Sequence, residues 1–396
     1  MSWASINDFQ CLETEPIPAE NLLSNPHISL YSLDFETRCA VFVETPAGLS
    51  LTDSPFYWMT QCEHAIRVIT LPFADFIALA SQIAVNPAKF CFIYSVGRAG
   101  STLASRLFAC VNGVEAISEP DALTTLVAAR HFASVDEAIY HQNNNQSNEH
   151  SSEQMIKHLL DASVRFLCKS AMANKFVIKG RSQVTEIGDW LHELYPQAKK
   201  VFLYRNAESW LGSAKSAFTT GETREAKAQM TLEQATRAYL KPVTRLIAAY
   251  PDDQHLSTVE LMILTWLSAM DACLAMCRLG IEILPIRFES WRSHPEETAR
   301  KMLAYCDCYP ASVSSSTSKR LLEVLSKDSQ ADTVLSQENI QRREQCLLPS
   351  DWEQLHYHLS RQSIICSADF NIPGTWLYHT DPKSLSSGEP SWRILG

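Results

Sequence analysis

The stretch Phe90-Cys91-Phe92-Ile93-Tyr94-Ser95-Val96-Gly97-Arg98-Ala99-Gly100-Ser101-Thr102-Leu103 decides how this chain folds. An apolar run rich in aromatic and branched residues breaks into glycines and hydroxyls, then resumes at helical spacing with Leu103, Leu107, Phe108 and Val111. That succession predicts a buried strand, a tight loop and a helix ending near Asn112-Gly113. Gly97 and Gly100 let the backbone turn and approach a ligand, and the free N–H groups of the helix start face an anion held in the loop. Arg98 adds a planar fork of donors, while Ser101 and Thr102 add hydroxyls. The competing reading of so short a motif is a plain strand-to-helix connection. It is not a Walker A sequence, which needs four residues between its glycines and a lysine before the hydroxyl. The expected site therefore holds its anion with a guanidinium and needs no metal.

Working outward, Phe176-Val177-Ile178-Lys179 and Lys200-Val201-Phe202-Leu203-Tyr204 read as strands joined through a helix from about Val184 to Tyr195. A crossover of this length makes the strands parallel and brings Lys179 and Arg205 to one edge of the sheet, where ligands bind in open parallel sheets. Lys199 and Lys200 are expected as solvent charges at the strand start. Ser213, two helical turns beyond Arg205, can present its hydroxyl beside the arginine. Val114 to Ile117 reads as another strand that delivers Glu119 to the same edge. The alternative for Glu119 is a cap or ion pair for a helix from Ala122, a role that suits Asp121 better.

The chain has 396 residues, room for one large or two ordinary domains, and a net charge of -10 argues against a general nucleic-acid binder. Its 12 cysteines are scattered through apolar runs. Cys273 with Cys277 and Cys306 with Cys308 lack a second pair at zinc-finger spacing, so they read as reduced core thiols of a cytoplasmic protein. Met1 to Gln10 lacks the basic and apolar regions of a secretory signal, and no uninterrupted apolar stretch reaches the roughly 20 residues of a spanning helix. No membrane partner is expected. Residues 1–86 form a section with strands at Cys39 to Glu44 and Ala65 to Leu71 and a helix near Phe73 to Ile83; Pro87 marks its boundary. Phe56-Tyr57-Trp58 is expected to pack the core. Ala122 to Ala133 is helical in pattern, whereas His141 to Glu153 is polar and reads as a surface loop. Thr231 opens a helix in capping style, Met262 to Cys277 is an apolar helix behind the sheet, and one more helix follows Asp351 before a loose tail, Pro382 to Pro390.

These residues resemble the sulfotransferases that use 3'-phosphoadenosine 5'-phosphosulfate (PAPS). Gly97-Arg98-Ala99-Gly100-Ser101-Thr102-Leu103 looks like the family's 5'-phosphosulfate loop in its carbohydrate, tyrosylprotein and bacterial form. Phe202-Leu203-Tyr204-Arg205 with Ser213 is similar to its 3'-phosphate motif, in which a serine follows the arginine by eight positions. Ile286-Arg287-Phe288-Glu289-Ser290-Trp291 with His294-Pro295-Glu296-Glu297 resembles the third signature, and Asp328-Ser329-Gln330 with Thr333 and Leu335-Ser336 a late loop of bacterial members. Asn206 stands where Asp is commoner and Asp332 where Gly is usual.

The resemblance implies an α/β fold, a P-loop three-layer sandwich with a central parallel sheet over 87–396, plus the smaller mixed N-terminal section of 1–86. It implies PAPS as co-substrate, held by Arg98, Ala99, Gly100, Ser101 and Thr102 at the 5' end and by Arg205 and Ser213 at the 3'-phosphate. Glu119 matches the base of the tyrosylprotein and carbohydrate branches, and Lys179 is expected at the bridging oxygen or sulfuryl group; with Arg98 these form the catalytic set. Trp291 stands as either an adenine-stacking or a core residue. The acceptor is a small molecule or saccharide bearing a hydroxyl or amine. Two other functions fit a loop of this kind: a small-molecule kinase or nucleotide hydrolase using ATP and magnesium, and a non-catalytic nucleotide-binding module.

Overall fold

A computed structural model describes residues 4–10, 17–140, 149–218, 231–251, 254–308, 315–326 and 347–376. The first section is built on strands β1 (Ile28–Asp34), β2 (Cys39–Glu44) and β3 (Arg67–Pro72), with helices α1 (Tyr57–Glu63) and α2 (Phe73–Ala80). These strands form an antiparallel sheet in the order β1-β2-β3. Phe42 of β2 and Phe76 of α2 meet Phe166, whose ring stacks on Phe76 at 5.2 Å between centroids. Aromatic packing of this kind joins the section to the following chain through one core.

That chain supplies β4 (Phe90–Ser95), α3 (Ser101–Ala109), β5 (Val114–Ser118), α4 (Ala122–Tyr140), α5 (Glu149–Leu167), which carries Phe166, β6 (Lys175–Lys179), α6 (Gly188–Leu194) and β7 (Lys199–Tyr204). It continues through α7 (Ala207–Phe218), α8 (Leu232–Leu240), α9 (Thr258–Arg278), β8 (Leu284–Arg287), α10 (Phe288–Ser293), α11 (Pro295–Tyr305), α12 (Ser315–Ser326) and α13 (Pro349–Ser360). The five strands form one parallel sheet in the order β5-β6-β4-β7-β8. Every residue of β4 and β6 is buried, as expected of parallel strands covered on both faces. This is the α/β sandwich the sequence predicts. The chain runs from β4 outward to β5, returns to β6 and crosses to β7, so the strand order reverses beside β4. Ligands bind at such a switch point, outside the carboxyl ends of the strands.

Four local expectations change. Glu149 to Glu153 belongs to helix α5, not to a loop; 141–148 lie outside the described residues. The segment after β6 begins as a 3-10 helix, Ser182–Ile187, before α6. Lys200 is 1% exposed rather than a solvent charge, and its ammonium donates to the Ala198 carbonyl at 2.8 Å. Of the aromatic trio only Tyr57 is buried, while Phe56 and Trp58 are half-buried. Helix α9, opened by a Ser257/Glu260 capping box, is long and apolar enough to span a membrane, but 67% of its apolar window is buried within the fold. It is the core helix behind the sheet. The tail expected at Pro382 to Pro390 falls outside the described residues.

Candidate active site

The loop after β4 turns through left-handed backbone at Gly97 (φ 72°), Arg98 (φ 48°) and Gly100 (φ 80°). Glycine adopts this conformation freely, whereas Arg98 is strained there, as residues at ligand clamps often are. Gly100 stands at the cap position of α3 with no side chain over the helix end, leaving its first N–H groups open to an anion. A Cβ at Gly100 would lie in van der Waals contact with Phe288 and Trp291, each 3.4 Å away. Ser101 and Thr102 follow at the first turn of α3.

Two indoles hold this edge in place. Trp210 of α7 donates to the carbonyls of Val96 and Gly97, both at 3.0 Å, and Trp266 of α9 donates to the Arg205 carbonyl at 3.2 Å. Neither role was legible in sequence, because both need the helix crossings. Arg98 donates through Nε to Ser213 at 3.3 Å. Arg205 donates instead to Ser209 at 2.9 Å, one turn nearer than the serine expected from the motif. Its guanidinium lies 4.6 Å from the Phe288 ring centroid. Burial pulls the Arg205 guanidinium below its ordinary value, with Glu289 pulling it back. Phe288 thus lies against both Arg205 and the loop at Gly100, so the two arginines share one rim. Asn206 caps α7 by accepting from the N–H groups of Glu208 (3.0 Å) and Ser209 (3.2 Å), as an aspartate would.

The opposite side of the rim is a ladder of ion pairs. Parallel pairing sets Ser118 opposite Lys179, so β5 and β6 end level. Just beyond, Glu119 turns left-handed (φ 59°), its N–H donates to the Lys179 carbonyl at 2.6 Å, and its carboxylate pairs with the Lys179 ammonium. Lys179 is 2% exposed and Glu119 faces more open space. Two residues on, Asp121 pairs with Arg181 at 3.0 Å in full burial. Asp121 also accepts from the Ala4 N–H, and Arg181 donates to Tyr239 of α8 and lies 4.8 Å from the Trp58 ring centroid. Burial pushes the Asp121 carboxyl up, and the Arg181 guanidinium draws it back. Asp121 is therefore an ion-pair partner more than a helix cap. Ser118 Oγ donates to the Pro55 carbonyl at 2.9 Å, a second contact from the first section.

Trp291 is buried, and among the described residues its Nε1 has no partner. Its indole lies against the loop at Gly100, with Nε1 3.5 Å from the point a Cβ on that glycine would occupy, so it is a core wall of the cradle with an unused donor. The late-loop residues Asp328, Ser329, Gln330, Asp332, Thr333, Leu335 and Ser336 lie outside the described residues. Among the described residues no cluster of three metal-ligating side chains occurs. A cavity of about 580 Å³ lies elsewhere, between α9 and α13, beside the His358–Glu260 pair.

The chain belongs to the sulfotransferase family: a family model with that description matches residues 91–309. The match runs from β4 through the end of α11 and so takes in the loop, Glu119, Lys179, Arg205, Ser213 and Trp291. This is an enzyme class that moves a sulfuryl group from PAPS. A search of curated proteins finds no match. Solved structures that are similar include the sulfotransferase domain from the Synechococcus PCC 7002 olefin synthase, at 14% identity over 69% of this chain and 94% of that one, TM-score 0.36. The sulfotransferase STF9 from Mycobacterium avium is similar at 12% identity over 74% and 81%, TM-score 0.40. Retinol dehydratase in complex with androsterone and inactive cofactor PAP is similar at 12% identity over 83% and 85%, TM-score 0.31. The family assignment stands on the family model and not on these distant likenesses.

Proposed function

We propose that the chain transfers the sulfuryl group of PAPS in line to a hydroxyl or amine of a small-molecule or saccharide acceptor, with Glu119 as the base. The observation that carries this reading is the Glu119–Lys179 pair at the ligand-binding edge, one strand away from the glycine loop. The residues present suit the nucleotide. Arg98, the open start of α3, Ser101 and Thr102 suit the 5' end, Arg205 with Ser209 suits the 3'-phosphate, and the orphaned Trp291 donor faces the loop between them. Bound PAPS supplies the group transferred and a phosphate oxygen that leaves with the bonding pair.

Sulfuryl transfer resembles phosphoryl transfer, in which charge grows on the leaving oxygen as the acceptor approaches. Positive charge is needed on the leaving side and a proton acceptor on the other. Glu119 takes the proton from the acceptor as its oxygen or nitrogen bonds to sulfur. Once protonated, Glu119 no longer neutralises Lys179, whose charge then stands free for the leaving side. Base and electrophile are thereby coupled through one ion pair.

In this reading residues 1–86 serve the acceptor side of a catalytic unit formed by 87–396, and the chain works in the cytoplasm, which the free state of every described cysteine supports. The ATP-using and non-catalytic alternatives lose ground to the family match. Glu119→Gln tests the base: transfer falls by at least about a hundredfold, as for loss of general-base catalysis. Binding of 3'-phosphoadenosine 5'-phosphate (PAP), measured by calorimetry, stays within a few-fold. A fully active variant removes Glu119 from the role.

A further inference from the structure

A second cavity, of about 220 Å³, opens at the seam between the first section, α3, the end of β5 and α12. Its wall joins Ser54 and Pro55 to Thr102, Ser105 and Arg106 of α3 and to Ser118. Thr102, Ser105 and Arg106 stand three and four residues apart and so share one helix face.

Arg106 is out of balance in this setting. Its Nε is buried without a partner, and among the described residues its guanidinium has neither a hydrogen bond nor an ion pair. Withholding an acceptor from a buried N–H costs free energy, more so for a charged group. Every other arginine of the site is matched: Arg98 with Ser213, Arg181 with Asp121, Arg205 with Ser209. A hydroxyl-lined cavity with one unmatched cation suits an anion that arrives with a ligand.

We propose that this cavity receives an anionic group of the acceptor, a carboxylate or a sulfate, with Arg106 as its counter-charge. The inference rests on the donor and base assignment above, because the acceptor's reacting hydroxyl must lie beside Glu119. Placement agrees with that requirement. Ser118 on the cavity wall directly precedes Glu119, and Thr102 at one end of the wall belongs to the loop. Arg106 lies four residues further along α3, roughly 6 Å at the helical rise. The acceptor class is thus a small hydroxylated acid, its charge set apart from the hydroxyl that is sulfated.

Calorimetric titration of the full chain with glucuronate, glucose 6-sulfate and glucose, each with and without saturating PAP, tests this. Either anionic sugar should bind at least about tenfold more tightly than glucose, in line with a charge-assisted bidentate contact. Arg106→Gln should abolish that preference and Arg106→Lys should retain part of it, with PAP affinity unchanged in both variants as the check on folding. Neither anionic sugar outbinding glucose, or a preference that survives Arg106→Gln, would overturn the proposal. Failure of the wild-type chain to bind PAP would instead overturn the donor assignment, and the titrations without PAP would still decide the role of Arg106.

Discussion

Lysine residues show how much depends on where a charge is placed. Lys179 is buried with Glu119 as its partner, whereas Lys200 is buried with only a carbonyl to receive its proton. Burial accordingly pushes Lys200 down to about 8. In the unfolded chain a lysine titrates near ~10.4, so between these two values the unfolded state binds the extra proton and stability rises with pH. Below pH about 8 both states carry the charge, and the burial penalty on the folded state is at its full value. Lys200→Met should remove this rise. Urea unfolding at about pH 7 and about pH 9.5 should show the variant gaining on wild type by on the order of 1–3 kcal/mol at the lower pH, with the gap narrowing at the higher. An unchanged gap would mean that Lys200 keeps its charge in the fold up to about pH 9.5, as a lysine free of the burial penalty does. Sequence reading set Lys200 in solvent because adjacent lysines at a strand start usually project outward. Alternation along β7 turns one of the two inward, and no residue nearby marks which.

At the scale of elements, the loop was legible because its chemistry is local: glycines, an arginine and two hydroxyls lie within six positions. The pairing of Glu119 with Lys179 was half legible. Each was expected at the sheet edge, but their meeting depends on the register of β5 against β6, which no single segment specifies. The Arg205 partner shifted from Ser213 to Ser209 for a similar reason, since both serines lie on α7 and Arg98 comes from another strand to occupy the farther one. The tryptophans that pin the loops were not legible at all, because indole N–H bonds to distant carbonyls require knowing which helix crosses which strand end. Trp210→Phe keeps most of the packing volume and removes only the donor. Leaving two loop carbonyls without it should cost about 1–2 kcal/mol and weaken PAP binding by about tenfold, read by thermal unfolding and calorimetry. Unaltered PAP affinity would mean that the loop holds its shape without α7.

Across the whole molecule, the first section, whose role the sequence left open, is fastened to the Glu119–Lys179 edge of the sheet at three points. The Ala4 N–H meets Asp121, the Pro55 carbonyl meets Ser118, and Trp58 lies against Arg181. All three converge on the strand ends that carry Glu119 and Lys179, so the section and this ion pair are positioned together. The buried Asp121–Arg181 pair is the centre of this fastening, and breaking one side strands the other charge. Asp121→Asn and Arg181→Met should each cost about 3–5 kcal/mol in chemical unfolding, with the double variant costing well under their sum. Additive losses would show that the two side chains act independently.

The central claim is that two guanidinium groups on adjacent loops, Arg98 and Arg205, hold opposite ends of one nucleotide with a 3'-phosphate. Calorimetric titration of PAP against ATP, each with and without magnesium, in wild type and Arg205→Ala, measures this most directly. The account predicts that PAP binds more tightly than ATP without metal and that Arg205→Ala erases the difference. Equal affinity for the two nucleotides, or binding that depends on magnesium, would contradict it.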